Sequence, residues 1–200
     1  FVSGTVITAL LAHSLLLSHS GEYILYSAVC GRIVPETVAA AGGKSQRVRV
    51  GHSYMKNYMR QYNAIFGGEH SGHYYHRDFF NSETGVGTAL MVLELISRDG
   101  RKFSQIVDDF AKYPSSGEFN FSVPDAEAVI LNIKQSYTNA KTVDELDGLS
   151  VWYDDWWFNI RASHTEPLIR LNVEANTQTI LDQKTSELVA QIESLKGVKK

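Results

Sequence analysis

Two short segments concentrate the side chains that could do chemistry. The first, Gly67-Gly68-Glu69-His70-Ser71-Gly72-His73, combines a carboxylate that accepts, a hydroxyl that donates and accepts, imidazoles that do either, and glycines that allow close backbone approach. Such a mixed set suits the hydroxyls of a sugar. A solvated turn whose histidines merely fill space is an equally open reading. Zinc is a third, because His70, His73 and His76 recur at three-residue spacing beside Glu69. That spacing in a glycine-containing loop does not orient ligands together, so no metal site is expected.

The second segment, Arg161-Ala162-Ser163-His164-Thr165-Glu166-Pro167 followed by Leu168-Ile169-Arg170, has the composition of an anion trap. A bidentate guanidinium, two hydroxyls, an imidazole and backbone N–H groups can surround a phosphate dianion, and Arg170 adds a second positive charge. The competing reading is a surface turn closed by an Arg161–Glu166 ion pair, worth under about 1 kcal/mol.

The elements that must position these loops alternate between helix and strand. Apolar residues at near-helical spacing predict a buried helix from Thr5 to Leu17, too short and too often interrupted to span a bilayer. Strands at Tyr23 to Tyr26, Arg47 to Val50 and Ala64 to Phe66 alternate with helices, one starting at Pro35 and one capped by Ser53 and running to about Tyr62. A helix over Thr84 to Ser97 is expected to turn Val86, Leu90, Leu93 and Ile96 inward, and a short one spans Ser104 to Tyr113. Pro114-Ser115-Ser116-Gly117 is the linker candidate. Beyond it come a strand (Glu118 to Val123), a helix (about Asp125 to Tyr137), close-set strands at Ser150 to Tyr153, Trp156 to Arg161 and Leu168 to Ala175, and a C-terminal helix. Short turns make antiparallel pairing the economical arrangement. The fold class expected is α/β plus α+β: a layered α/β/α domain with a mixed sheet, then a smaller domain with an antiparallel sheet packed on helices.

Composition excludes some functions. With 44% hydrophobic and 20% charged residues, a net charge of -3 and no run of five basic residues, the chain carries no footprint for nucleic acid or an anionic membrane. One cysteine, Cys30, cannot form an internal disulfide, and a cytoplasmic setting is expected. The helical pattern begins almost at once and without Met, so a piece of a longer protein is expected.

Gly68 to His73 resembles the sugar-specificity loop of the α-D-phosphohexomutases, of the phosphomannomutase/phosphoglucomutase type. Arg161 to Pro167 resembles their C-terminal phosphate loop, usually Arg-x-Ser-Asn-Thr-Glu-Pro, and Gly51-His52-Ser53 is similar to a segment that contributes an active-site histidine. The resemblance covers nearly the whole chain, as the third of four domains (1–116) followed by the fourth (117–200). It implies hexose phosphates as ligands, hexose 1,6-bisphosphate as intermediate and activator, and Mg2+ as cofactor. The phosphoserine donor and the three-aspartate magnesium site would lie in the missing N-terminal domains, the chain's implied partners. Ala162-Ser163-His164 superficially matches the phosphoserine loop, but its flanks assign it to the phosphate loop. By the same resemblance, His52 and His73 are catalytic, Glu69 and Ser71 grip sugar hydroxyls, and Arg161, Ser163, His164 and Thr165, with Arg170, clamp the phosphate. His164 replaces the usual asparagine. Val29 stands where some members place a lysine, which Arg32 could replace in substrate binding, and His76 has no assigned role. A non-catalytic sugar-phosphate-binding protein and a phosphoglucosamine mutase fragment are the alternatives; the latter usually has glutamine where His70 stands.

Overall fold

A computed structural model describes residues 1–163 and 166–200. The chain folds as two compact units, Phe1–Lys112 and Tyr113–Lys200. In the first, α1 (Gly4–Ser18), β1 (Tyr23–Ser27), α2 (Ile33–Ala40), β2 (Lys44–Val48), α3 (His52–Tyr62) and β3 (Phe66–Gly68) alternate as expected; β4 (Tyr74–His76), β5 (Ser82–Glu83), α4 (Gly85–Asp99) and α5 (Phe103–Asp108) follow. The sheet order is β2-β1-β3-β4-β5, with β1, β2 and β3 parallel and β4 and β5 antiparallel, so the sheet is mixed. Helices α1 and α2 pack together on one face. On the other, Met55 and Met59 of α3, one turn apart, meet Leu25, Val48, Ala64 and Tyr75.

This order fixes where a site can form. From β1, an interior strand, the chain moves to β2 on one side and then crosses to β3 on the other, so the strand order reverses beside β1. The loops after β1, β2 and β3 all leave the same carboxyl edge, the usual binding crevice of open α/β sheets.

The second unit contains β6 (Ser115–Ser122), α6 (Ala126–Ser136), β7 (Thr142–Asp144), β8 (Leu149–Trp152), β9 (Trp156–Ala162), β10 (Leu168–Ala175), α7 (Gln178–Ser194) and β11 (Val198–Lys199). Its sheet, β11-β6-β10-β9-β8-β7, is antiparallel throughout. Strand periodicity divides the two faces. Phe158, Ile160, Ile169, Leu171 and Val173 join Ile133 of α6 and Leu181, Leu188 and Ile192 of α7 in the core, each large side chain contributing about 1.5–3 kcal/mol by burial. The intervening residues place Arg161 opposite Arg170, Asn159 opposite Asn172 and Trp157 opposite Glu174 on the other face. No helix among the described residues is long and apolar enough to cross a membrane.

Several local expectations need correction. The α3 N-cap is Gly51, not Ser53, which is the second helical residue. Gly67 and Gly68 lie inside β3 rather than ending a strand at Phe66, and Ser115 to Gly117 belong to β6. In α4, Val86, Leu90 and Leu93 are 76%, 61% and 58% exposed. That helix has apolar residues all round, so its periodicity admits two phases. The phase adopted buries Thr88, whose hydroxyl donates to Thr84 O at 2.8 Å and lies 2.8 Å from His76 Nε2.

His76 thereby acquires a structural role. Its ring is 8% exposed and packs at 5.1 Å from Phe66, and burial pushes its imidazole pKa down. The unfolded chain therefore binds a proton that the native ring resists, and the stability held above the unfolded value of about 6.5 is lost as pH falls below it. His76→Ala is expected to lower unfolding free energy by about 1–3 kcal/mol in urea titrations. His76→Phe is expected to lose less stability than wild type between about pH 7 and pH 5; equal losses would exclude His76 as the acid-sensitive group.

Candidate functional site

The first loop closes a hairpin. Glu69 N–H donates to His73 O at 2.9 Å and Gly72 N–H donates to Glu69 O at 3.0 Å, continuing the pairing of Gly67 with Tyr75 and Gly68 with Tyr74. Directly opposed residues share a sheet face. Glu69, His73 and Tyr75 thus lie on the α3 face, as does Glu83, which pairs with Tyr75.

Glu69 is 3% exposed. Its Oε1 accepts from Gly51 N–H at 2.9 Å and its Oε2 from the Tyr75 hydroxyl at 2.9 Å. A buried carboxylate needs such donors, and each oxygen keeps capacity for a ligand hydroxyl. Burial, and then the Glu69 charge, push the Tyr75 phenol well above its usual range, so it remains a donor. Gly51 adopts φ +124, a conformation open to glycine. There it turns its N–H toward Glu69, and α3 begins at exposed His52. Two segments far apart in sequence are joined at this point. Ser71 and His73 are exposed on the loop, with His73 Nδ1 2.7 Å from Glu83 Oε1.

The opposite side of the loop rests on α1. A Cβ on Gly4 would overlap Glu69 O and His70 O, so only glycine lets the helix start this close. Thr5 Oγ1 lies 2.8 Å from His70 Nδ1, and His70 N–H donates to Ser27 Oγ at 3.3 Å. The three histidines consequently turn apart: His70 to Thr5, His73 to Glu83 and His76 to Thr88. That divergence removes the geometry a zinc site needs. No group of three or more His, Cys, Asp or Glu among the described residues could hold a metal. Arg32 is half-buried at the start of α2, beyond the 6% exposed Val29 in the same carboxyl-edge loop.

In the second unit, Arg161 is 5% exposed. Its Nη2 reaches Glu118 Oε2 at 3.4 Å, Arg170 Nη1 reaches Glu118 Oε1 at 3.3 Å, and Arg170 Nη2 reaches Glu166 Oε2 at 3.5 Å. All three contacts are long for charge-assisted hydrogen bonds. The Nε atoms of Arg161 and Arg170 are buried without a hydrogen-bond partner. Two guanidinium groups therefore share Glu118, and Arg161 does not make the Glu166 pair of the surface-turn reading. Ser163 N–H donates to Leu168 O at 2.8 Å at the base of the loop. His164 and Thr165 lie outside the described residues.

Sequence reasoning missed Glu118, Tyr75 and Glu83. Each reaches its partner through strand register, which no local spacing announces. The only available signal was weak: alternation across Tyr74 to Glu83 could have suggested the hairpin that brings Glu83 to Tyr75.

Residues 3–113 match the family model for phosphoglucomutase/phosphomannomutase, alpha/beta/alpha domain III, and residues 118–192 match that for the phosphoglucomutase/phosphomannomutase C-terminal domain. A phosphomannomutase of Methanocaldococcus jannaschii is 36% identical over 185 residues, covering 92% of this chain and 41% of the relative. One of Salmonella montevideo is 36% identical over 197 residues, covering 97% and 43%. A solved phosphoglucomutase/phosphomannomutase family protein of Burkholderia thailandensis superposes with a TM-score of 0.85 at 25% identity, over 98% of this chain and 42% of that one. The N-acetylphosphoglucosamine mutase of Aspergillus fumigatus, solved with GlcNAc-6P and magnesium, shares the fold with a TM-score of 0.63 at 13% identity, over 96% and 44%. This chain spans 41% and 43% of the length of the two curated relatives.

Tyr75→Phe keeps the ring among Met55 and Met59 but removes one donor from Glu69. Its unfolding free energy is expected to fall by about 1–3 kcal/mol in denaturant titrations. An unchanged midpoint would show that the phenol does not support the carboxylate.

Proposed function

The chain belongs to the phosphoglucomutase/phosphomannomutase family, and on that premise we propose that it supplies the sugar and phosphate grips of an enzyme interconverting hexose 1-phosphate and hexose 6-phosphate through a bisphosphate. It corresponds to the third and C-terminal domains of such a protein. The observation that carries the reading is the pairing of buried Arg161 with half-buried Arg170, whose Nε atoms are buried without a partner and whose contacts to Glu118 and Glu166 are all long for charge-assisted hydrogen bonds. A phosphate dianion meets both needs.

In this reading Glu69 and Ser71 hold two sugar hydroxyls, with Arg32 a further substrate contact. His52 and His73 face the reacting end. Arg161, Ser163, His164, Thr165 and Arg170 clamp the phosphate that is not being transferred. Binding energy from that remote phosphate can be used at the reacting centre, so the clamp contributes to turnover as well as affinity. Mg2+ does not fit the acidic pairs present here: Asp109 is engaged by Arg101 at 2.9 Å, and Asp154 by Lys141. The metal site and the phosphoryl donor are assigned to the N-terminal remainder of the protein, which is the chain's partner. A hexose phosphate is the ligand class, and a cytoplasmic setting suits the buried free thiol of Cys30.

Calorimetry and NMR with mannose 1-phosphate and glucose 1-phosphate test the assignment. Weak binding is expected, with amide shifts in 69–73 testing the sugar grip and shifts in 161–170 testing the phosphate grip. In the complete enzyme, Arg161→Ala is expected to lower kcat/KM about tenfold or more; unchanged kinetics would refute the clamp.

A further inference from the structure

Glu83 lies on the same face as the proposed sugar grip, yet nothing above gives it work there. Its two-residue strand is fixed on both sides. Glu83 is in register with Tyr75, while the next residue, Thr84, donates its N–H to Tyr74 O at 3.2 Å and accepts from Gly87 N–H at 3.1 Å to cap α4. The carboxylate is thereby held with Oε1 2.7 Å from His73 Nδ1.

An ionised carboxylate can only accept, so this contact requires a proton on His73 Nδ1. In the neutral ring the lone pair then sits on Nε2, the nitrogen directed away from Glu83. We propose that Glu83 is a positioning residue of the sugar site, holding His73 in the Nδ1–H tautomer so that Nε2 accepts a hydrogen bond from a hexose hydroxyl. The opposite tautomer would present an N–H, suited to a phosphate oxygen. Glu83 thus makes the 69–73 loop a receiver of hydroxyl protons and leaves anion binding to the arginines of the second unit.

The exposure of the pair argues for this role over a stabilising one. His73 and Glu83 side chains are 52% and 41% exposed, and ion pairs so open to water add little to folding. Orientation is what remains, as when a second group fixes which imidazole nitrogen faces a ligand. The hydroxyl role rests on the sugar-site reading above; the tautomer does not.

Long-range 15N–1H correlation spectra of the histidine rings, recorded on this 200-residue chain in alkaline buffer where the imidazoles are neutral, separate the two. Wild-type His73 is expected to be mainly Nδ1–H. Glu83→Ala should shift the tautomer ratio toward Nε2–H by roughly threefold, and the near-isosteric Glu83→Gln, which preserves the strand, should fall between. A wild-type ring already in the Nε2–H form, or a ratio unmoved by both substitutions, overturns the proposal. Adding glucose 1-phosphate or mannose 1-phosphate should then shift the Nε2 resonance. If the tautomer is as stated but Nε2 responds to neither while the 69–73 amides do, the hydroxyl role alone is overturned; if those amides are silent as well, the sugar-site reading fails too, and the Glu83 contact stands in both cases.

Discussion

A carboxylate withdrawn from water must be met by donors, and Glu69 meets that requirement with one backbone N–H and one phenol. Much of the first unit's carboxyl edge follows from those two bonds. The N–H comes from Gly51, so the turn after β2 must bring α3 to its start beside the hairpin. The phenol comes from Tyr75, so β4 must pair with β3 in a register that puts residues 69 and 75 on one face. On the far side, α1 approaches closely enough that Gly4 touches the loop's carbonyls. An exposed glutamate would impose none of this, and the loop would be free to take other shapes.

The second unit solves a different problem with the same period-two geometry. One face of its sheet is a packed apolar layer beneath α6 and α7, which holds the strands in register. That register places cations on the reverse face at fixed separation, because Arg161 and Arg170 occupy opposed positions on β9 and β10. The rigidity of the core thus becomes precision in the placement of charge. The two units carry different chemistry: a buried carboxylate acceptor in one, a pair of guanidinium donors in the other.

How much of this could be read from the sequence depends on how local the signal was. Leu168 to Ala175 was legible as a strand to the residue, since alternation and a preceding Pro167 both mark it. The turn at 69–73 was legible because its polar and glycine residues are contiguous. The phase of α4 was not, because a helix with Val86, Leu90 and Leu93 on one side and Met91, Val92 and Leu95 on another offers periodicity two ways, and the anchor that decides between them, Thr88 against His76, is a tertiary contact. Gly67 and Gly68 were misread as a strand end for a related reason. Glycine weakens a strand in isolation, but here pairing on both sides by β1 and β4 holds them in the sheet. Glu118 could not be found at all: its partners are 43 and 52 residues away in a neighbouring strand pairing.

Glu118 also carries a consequence for discrimination. Because its two oxygens already occupy the guanidinium pair, an arriving anion meets a resident competitor of unit charge. A singly charged anion offers no electrostatic advantage over that occupant. A doubly charged anion does have that advantage, so the arrangement favours the more highly charged visitor.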